Sequence, residues 1–223
     1  ALCRRDSFLD YAPADKKRIS YAASMGVLDI PPEKEKLFAM LLKNFDSISV
    51  REEDMVPVIQ KYIDKHVLQH IDPTFLISAA EWRRYENRYD IKKPYILVYA
   101  LYWDRGLNDC LKKLHKKTGY QIISIQDGIR PIYANKRVLD AGPEEFLWLI
   151  DHAQAVVTSS FHGTAFSVIF NKSFYPVLNP NAPSRINSLV KTLHIPIAAT
   201  LNMLMDFSPD YTKVNNYIKR EKQ

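Results

Sequence analysis

The segment VVTSSFHGTAFSVIF, residues 156–170, decides how the rest of the chain is read. Val156, Val157 and Thr158 are β-branched, as expected for the buried end of a strand. Ala165, Phe166, Ile169 and Phe170 then recur at helical spacing. Only Ser159, Ser160, Phe161, His162, Gly163 and Thr164 stand between them, so a strand passes directly into a helix. Two hydroxyls, an imidazole and a scarce glycine are therefore placed at a helix start.

The same unit, a short apolar strand followed by an amphipathic helix, recurs on both sides. Strands are predicted at residues 18–23, 48–50, 67–71, 95–101, 121–125, 155–158 and 174–178. Helices are predicted at 33–45, 54–64, 106–118, 144–152, 185–193 and 210–222. Leu37, Met40, Leu41 and Phe45 are assigned to the buried face of the first helix. Pro143 is expected at N1, Gly119 at a C′ position and Ser184 at an N-cap. Residues 129–142 read as irregular. Residues 87–94 are charged and unpatterned, which sets a boundary between domains at 1–90 and 91–223. Strands alternating with helices imply an α/β fold with parallel sheets covered on both faces.

In such sheets ligands bind beyond the carboxyl ends of the strands. Ser24, Arg51, Glu52, Asp72, Thr74, Gln126, Asp127, Ser159, Ser160 and His162 fall there. Main-chain N–H groups at a helix start attract anions, and Gly163 would let a ligand approach closely. Ser159 and Ser160 can act as caps or as phosphate donors. His162 in the first turn can give a proton to an anionic substrate, or simply pack beside a serine cap. Arg51 ends a strand, where it faces either an anion or a structural partner among Glu52, Glu53 and Asp54. Arg185 opens a helix, a place where a bound anion would compensate its charge. Asp72 and Asp127 are either general bases or ordinary turn residues.

Other chemistries find little support. His66 and His70 lie four apart across a predicted strand with no third ligand near, so no metal site is assigned. No nucleotide-binding glycine motif or nucleophile elbow is present. The net charge of +6 comes from scattered pairs such as Lys112-Lys113, which suits an anionic ligand without implying nucleic acid. Two cysteines, Cys3 and Cys110, exclude a disulfide framework. No apolar run is long enough to cross a membrane as a helix.

Seven strings occur together and in one order: RISYAASMG (18–26), ISVRE (48–52), DPTFLIS (72–78), YILVYAL (95–101), GPEEFLWLI (142–150), TSSFHGTAFSVIF (158–170) and RINSLV (185–190). In this the chain resembles the polysaccharide pyruvyl transferase family, in a branch carrying Ser-Phe-His-Gly. The resemblance implies two Rossmann-like domains of the GT-B type with an active site in the cleft between them. It also implies transfer of a pyruvyl group from phosphoenolpyruvate to two hydroxyls of a cell-surface saccharide as a ketal, with release of phosphate. Arg51 in the Arg-Glu motif and His162 in the His-Gly motif would contact the donor. His162 and Asp127 would be catalytic; Ser24, Asp72, Ser159, Ser160, Gly163, Thr164 and Arg185 would bind substrate. Phosphoenolpyruvate is then a substrate, and no further cofactor is expected. The acceptor would be a saccharide, lipid-linked or free, handled in the cytoplasm or at the inner membrane face. Many members carry arginine where this chain has Ser160. Members also begin with a glycine-rich portion that this chain starts after, so its first domain is expected to be incomplete. Two other functions stay open: a GT-B glycosyltransferase using a nucleotide sugar, and a non-catalytic module of the same fold.

Overall fold

A computed structural model describes residues 3–25, 29–102, 105–125, 132–178 and 185–222. The chain divides into two compact units, Ala1–Pro73 and Thr74–Gln223.

The first unit holds strands β1 (Ile19–Ala23), β2 (Ser47–Val50) and β3 (Val67–Gln69), with helices α1 (Pro32–Lys43) and α2 (Met55–Gln60). The three strands form one parallel sheet in the order β1-β2-β3. Alternation along β2 sends Ile48 and Val50 into a core with Phe38, Leu42, Phe45, Met55, Ile59 and Val67. Helix α1 buries Phe38, Leu41 and Leu42 rather than the expected Leu37 and Met40; Met40 is 48% exposed. The stripe at 38, 41, 42 and 45 has the i, i+3, i+4, i+7 spacing and buries the bulky Phe38, which fixes the helix rotation. Helix α2 stops at Gln60, short of the expected residue 64. The Gln60 side chain donates to the carbonyls of Ile63 and Lys65 and accepts from the Val67 amide, so it closes the turn into β3. The register shifts along β1 between Ser20 and Ala23, where Ala22 has φ +47° and its amide donates to Ser49 Oγ.

The second unit contains α3 (Ala79–Trp82), β4 (Tyr95–Tyr99), α4 (Arg105–Thr118), β5 (Gln121–Ser124), β6 (Lys136–Arg137), α5 (Pro143–Asp151), β7 (Ala155–Thr158), α6 (Phe161–Ile169), β8 (Phe174–Pro176), α7 (Arg185–Thr192) and α8 (Thr212–Glu221). Its five strands are parallel and ordered β6-β5-β4-β7-β8. Ile96 and Val98 pack with Leu107, Leu111 and Leu114 of α4 on one face of the sheet. On the other face Tyr99 meets Phe146 of α5, which in turn meets Phe166 of α6. A sheet covered on both faces requires continuous apolar strands, and β7 is buried throughout.

The expected boundary at 90/91 falls inside this second unit, because residues 74–90 pack on it. Trp82 packs edge-on against Phe166 at 5.1 Å, Arg83 pairs with Asp151, and the Asn87 amide donates to the Glu144 carbonyl. The stretch expected to be irregular contains β6, which extends β5 by pairing Ile123 with Lys136. Two exposed basic residues carry no apolar alternation, so that strand left no pattern in the sequence. A short α3 also went unread, although Ser78 and Glu81 form a capping box at its start. Pro143 at N1 of α5 and the left-handed Gly119 after α4 (φ +71°) stand where the sequence placed them.

Candidate active site

In the second sheet the strand order reverses between β4 and β7, the switch point at which α/β sheets hold ligands. The segment 158–163 crosses that point, and a chain of hydrogen bonds builds it. Thr158 Oγ1 donates to the Tyr99 carbonyl at 2.6 Å and accepts from the Ser160 amide at 3.0 Å. Ser159 Oγ accepts from the Tyr102 amide at 2.8 Å, tying the segment after β4 to the end of β7. Ser160 is the N-cap of α6, its Oγ accepting from the Gly163 amide at 3.3 Å. Thr164 is fully buried and its hydroxyl donates back to the Ser160 carbonyl.

Gly163 is demanded by this packing. A Cβ there would lie well inside contact distance of Thr158 Oγ1 and 3.1 Å from Thr158 Cβ. Phe161 and Gly163 are buried, whereas His162 between them is exposed. Its ring meets Phe161 edge-on at 5.5 Å. The turn is thus a rigid support with one exposed imidazole, set in the first turn of a nine-residue helix. Arg185, also exposed, opens α7. Gln126, Asp127 and the Ser184 cap lie outside the described residues.

The first unit presents a second set of groups at the carboxyl ends of its strands. Arg51 follows β2 and its guanidinium engages the Asp72 carboxylate, with Glu52 Oε1 at 3.4 Å from Arg51 Nε. All three side chains are about nine-tenths buried or more, at 11%, 6% and 10% exposed. Asp72 is therefore a partner of Arg51, a pairing that separation in sequence concealed. Ser24 follows β1, and its Oγ is buried without a hydrogen-bond partner. His70 also belongs here. The predicted strand 67–71 placed it inside the ladder, but β3 ends at Gln69, which makes His70 a strand-end residue.

Glu86, Asp151 and His152 bring possible metal-ligand atoms within 4.8 Å of one another. They lie ahead of β7, away from the switch point, and two cations already serve them. Arg83 donates to both oxygens of Asp151 (2.7 and 3.0 Å), and the Lys172 ammonium interacts with the same carboxylate. Burial raises Asp151, but the Arg83 hydrogen bond and charge outweigh it and hold its pKa low. Burial, and then the charge of Asp151, push the Glu86 carboxyl above the usual range. The chemistry is that of an ion-pair cluster joining residues 83–86 to α5.

A doubly wound parallel sheet with a strand-to-helix turn at its switch point defines a Rossmann-like α/β fold. The UDP-GlcNAc 2-epimerase from Neisseria meningitidis, solved with UDP-GlcNAc, is similar in fold. It has a TM-score of 0.51 and 12% identity, over 84% of this chain and 57% of that one. The UDP-GlcNAc 2-epimerase from Methanocaldococcus jannaschii, solved with UDP-GlcNAc and UDP, matches with a TM-score of 0.50 and 11% identity, over 81% and 62%. The chain thus spans about three-fifths of the length of these structures, and the likeness shows the fold alone. No curated protein sequence matches the chain. The profile of the polysaccharide pyruvyl transferase family matches residues 2–181, and the chain belongs to that family.

Proposed function

We propose that the protein transfers the pyruvyl group of phosphoenolpyruvate to two hydroxyls of a saccharide destined for the cell surface, forming a ketal and releasing phosphate. The observation that carries this reading is His162, an exposed imidazole on a rigid helix start at the switch point of a family member. A helix N-terminus favours an anion, and an imidazole beside it can hand that anion a hydrogen bond or a proton. His162 then delivers a proton to the methylene carbon of the enol. Arg185, exposed at the start of α7, is the guanidinium assigned to the donor's anionic groups, a planar fork suited to carboxylate and phosphate alike. No cofactor beyond the donor enters this scheme. The acceptor is a saccharide, free or lipid-linked, used on the cytoplasmic side. Among the described residues no helix is long and apolar enough to cross a membrane.

Thermal melting with phosphoenolpyruvate tests the donor: a rise in melting temperature is expected with it and none with nucleotide sugars, and the opposite result would refute the reading. His162→Gln keeps a hydrogen-bond donor but removes proton transfer. Turnover should fall roughly a hundredfold or more with donor affinity preserved. Unchanged turnover with only a lower melting temperature would leave His162 a packing residue.

A further inference from the structure

A cleft of about 300 Å³ lies in the second unit at the carboxyl end of α6, the end opposite His162. Phe75, Ile169 of α6 and Ile218 of α8 line it, and all three are buried, which gives the cleft an apolar floor. Asn171, in the left-handed region (φ +53°), carries the chain out of α6 along one wall. Lys219 and Lys222 border the same cleft and are exposed, so they form its rim.

The rim carries charge without a matching anion. Among the described residues neither lysine forms an ion pair or a hydrogen bond. The Glu81 carboxyl feels the Lys222 charge, but its Oε2 accepts from the Ser78 amide and hydroxyl at 2.9 and 2.6 Å and so caps α3. Cations are stable at any helix carboxyl end. These two also border an apolar cavity, a placement the helix dipole does not require. The neutral polar groups of the lining are spent nearby: Asn215 Nδ2 donates to Asn171 Oδ1 at 3.1 Å, and Ser78 serves Glu81. A peptide or a sugar, which needs many hydrogen bonds, finds few here. A molecule with an anionic head and a hydrocarbon tail needs only the two cations and the apolar floor. Leu76, between the lining residues Phe75 and Ile77 in the chain, is 42% exposed, an apolar side chain suited to the edge of a bilayer.

We propose that this cleft seats an anionic phospholipid, its phosphate at Lys219 and Lys222 and part of one acyl chain over Phe75, Ile169 and Ile218, and so holds the protein to a negatively charged membrane surface. Such binding needs the second unit alone and does not depend on the pyruvyl-transfer reading.

Co-sedimentation with vesicles tests the site. The protein should bind phosphatidylcholine vesicles containing about a third phosphatidylglycerol, and not pure phosphatidylcholine. Lys219→Gln combined with Lys222→Gln should weaken that binding roughly tenfold or more. Lys213 and Arg220 point about a third of a turn round α8 from Lys219 and do not line the cleft. Lys213→Gln combined with Arg220→Gln removes the same charge and should weaken binding no more than about threefold. Equal losses in the two pairs would show general attraction to a negative surface and overturn the cleft. Ala79→Phe adds bulk to the lining without changing charge. It should weaken binding of soluble dihexanoyl phosphatidylglycerol about fivefold or more in titration calorimetry. All four substituted cations are exposed, which keeps the test decisive if Ala79→Phe fails to fold. Glycerol phosphate binding as tightly as the short-chain lipid would reduce the cleft to a phosphate site, and a glutamate hexapeptide doing so would make it a peptide site. Either result, or no binding to the charged vesicles, would overturn the proposal.

Discussion

Replacing Gly163 with alanine puts one methyl group where the structure has no room. Its Cβ would overlap Thr158 Oγ1, the atom that donates to the Tyr99 carbonyl and accepts from the Ser160 amide. The overlap strains the packing of α6 on β7 and turns Thr158 aside, so that its hydrogen bonds are lost at a buried position. Overpacking costs about 1–3 kcal/mol. A buried donor or acceptor left unpaired costs a further ~1–3 kcal/mol. Alanine's better helix propensity returns no more than about 1 kcal/mol. The expected net loss is about 3 kcal/mol, a fall in melting temperature of roughly 6–12 °C for a chain of this size. Urea unfolding followed by circular dichroism measures it. The mechanism further requires that removing the Thr158 hydroxyl relieve the overlap. Gly163→Ala combined with Thr158→Ala should therefore cost at least about 1 kcal/mol less than the sum of the single changes. A single variant within about 0.5 kcal/mol of wild type, the spread of ordinary surface changes, would refute the argument, as would strict additivity.

Three further outcomes follow from the geometry. Arg51→Met leaves Asp72 buried without its guanidinium and should destabilise the first unit by about 3–5 kcal/mol, most of it recovered when Asp72→Leu is added; urea midpoints of the four proteins check this. Glu86 has a pKa raised by folding, so its contribution is fully present below the unfolded carboxyl pKa and lost as pH rises through the folded one. Glu86→Gln should accordingly melt higher than wild type at pH 8 and no higher at pH 4, and a difference independent of pH would contradict it. On β1, the edge strand of its sheet, Ile19 and Tyr21 are 59% and 41% exposed. The protein should self-associate with rising concentration and Ile19→Lys should suppress this in sedimentation; a wild type monomeric throughout would show that the edge is harmless.

Much of the fold was legible because its signals are local. The apolar strands β4 and β7, the proline at N1 of α5 and Gly119 after α4 each depend on a few adjacent residues. The turn at 158–163 was readable as a helix start, but its internal logic was not. Gly163 is glycine because the tight turn folds α6 back onto Thr158, and Ser159 is occupied by the Tyr102 amide, a contact that only the β4–β7 pairing creates. The same holds for Arg51 and Asp72, whose pairing depends on β2 lying beside β3. Residues 74–90 carry neither helical nor strand periodicity over any length, so their attachment through Trp82 and Arg83 to the second unit left no sequence signal. His70 was hidden by a strand end misplaced by two residues, enough to move it from ladder to rim.

The strand order of the second unit bears on how the protein is made. Ile96 of β4 pairs with Ile122 of β5 and with Ala155 of β7. During synthesis β4 can meet β5 early, after a single helical crossover. Its other edge stays uncovered until the ribosome has made everything through Thr158. Residues 95–99, Tyr-Ile-Leu-Val-Tyr, carry no charge and are almost wholly buried in the finished sheet. For that interval the nascent chain displays an open apolar strand edge of the kind that recruits other chains. Non-local pairing of this kind also slows folding. Yield in a cell should therefore depend on translation speed between β5 and β7 and on holding chaperones, more than on the stability of the folded protein.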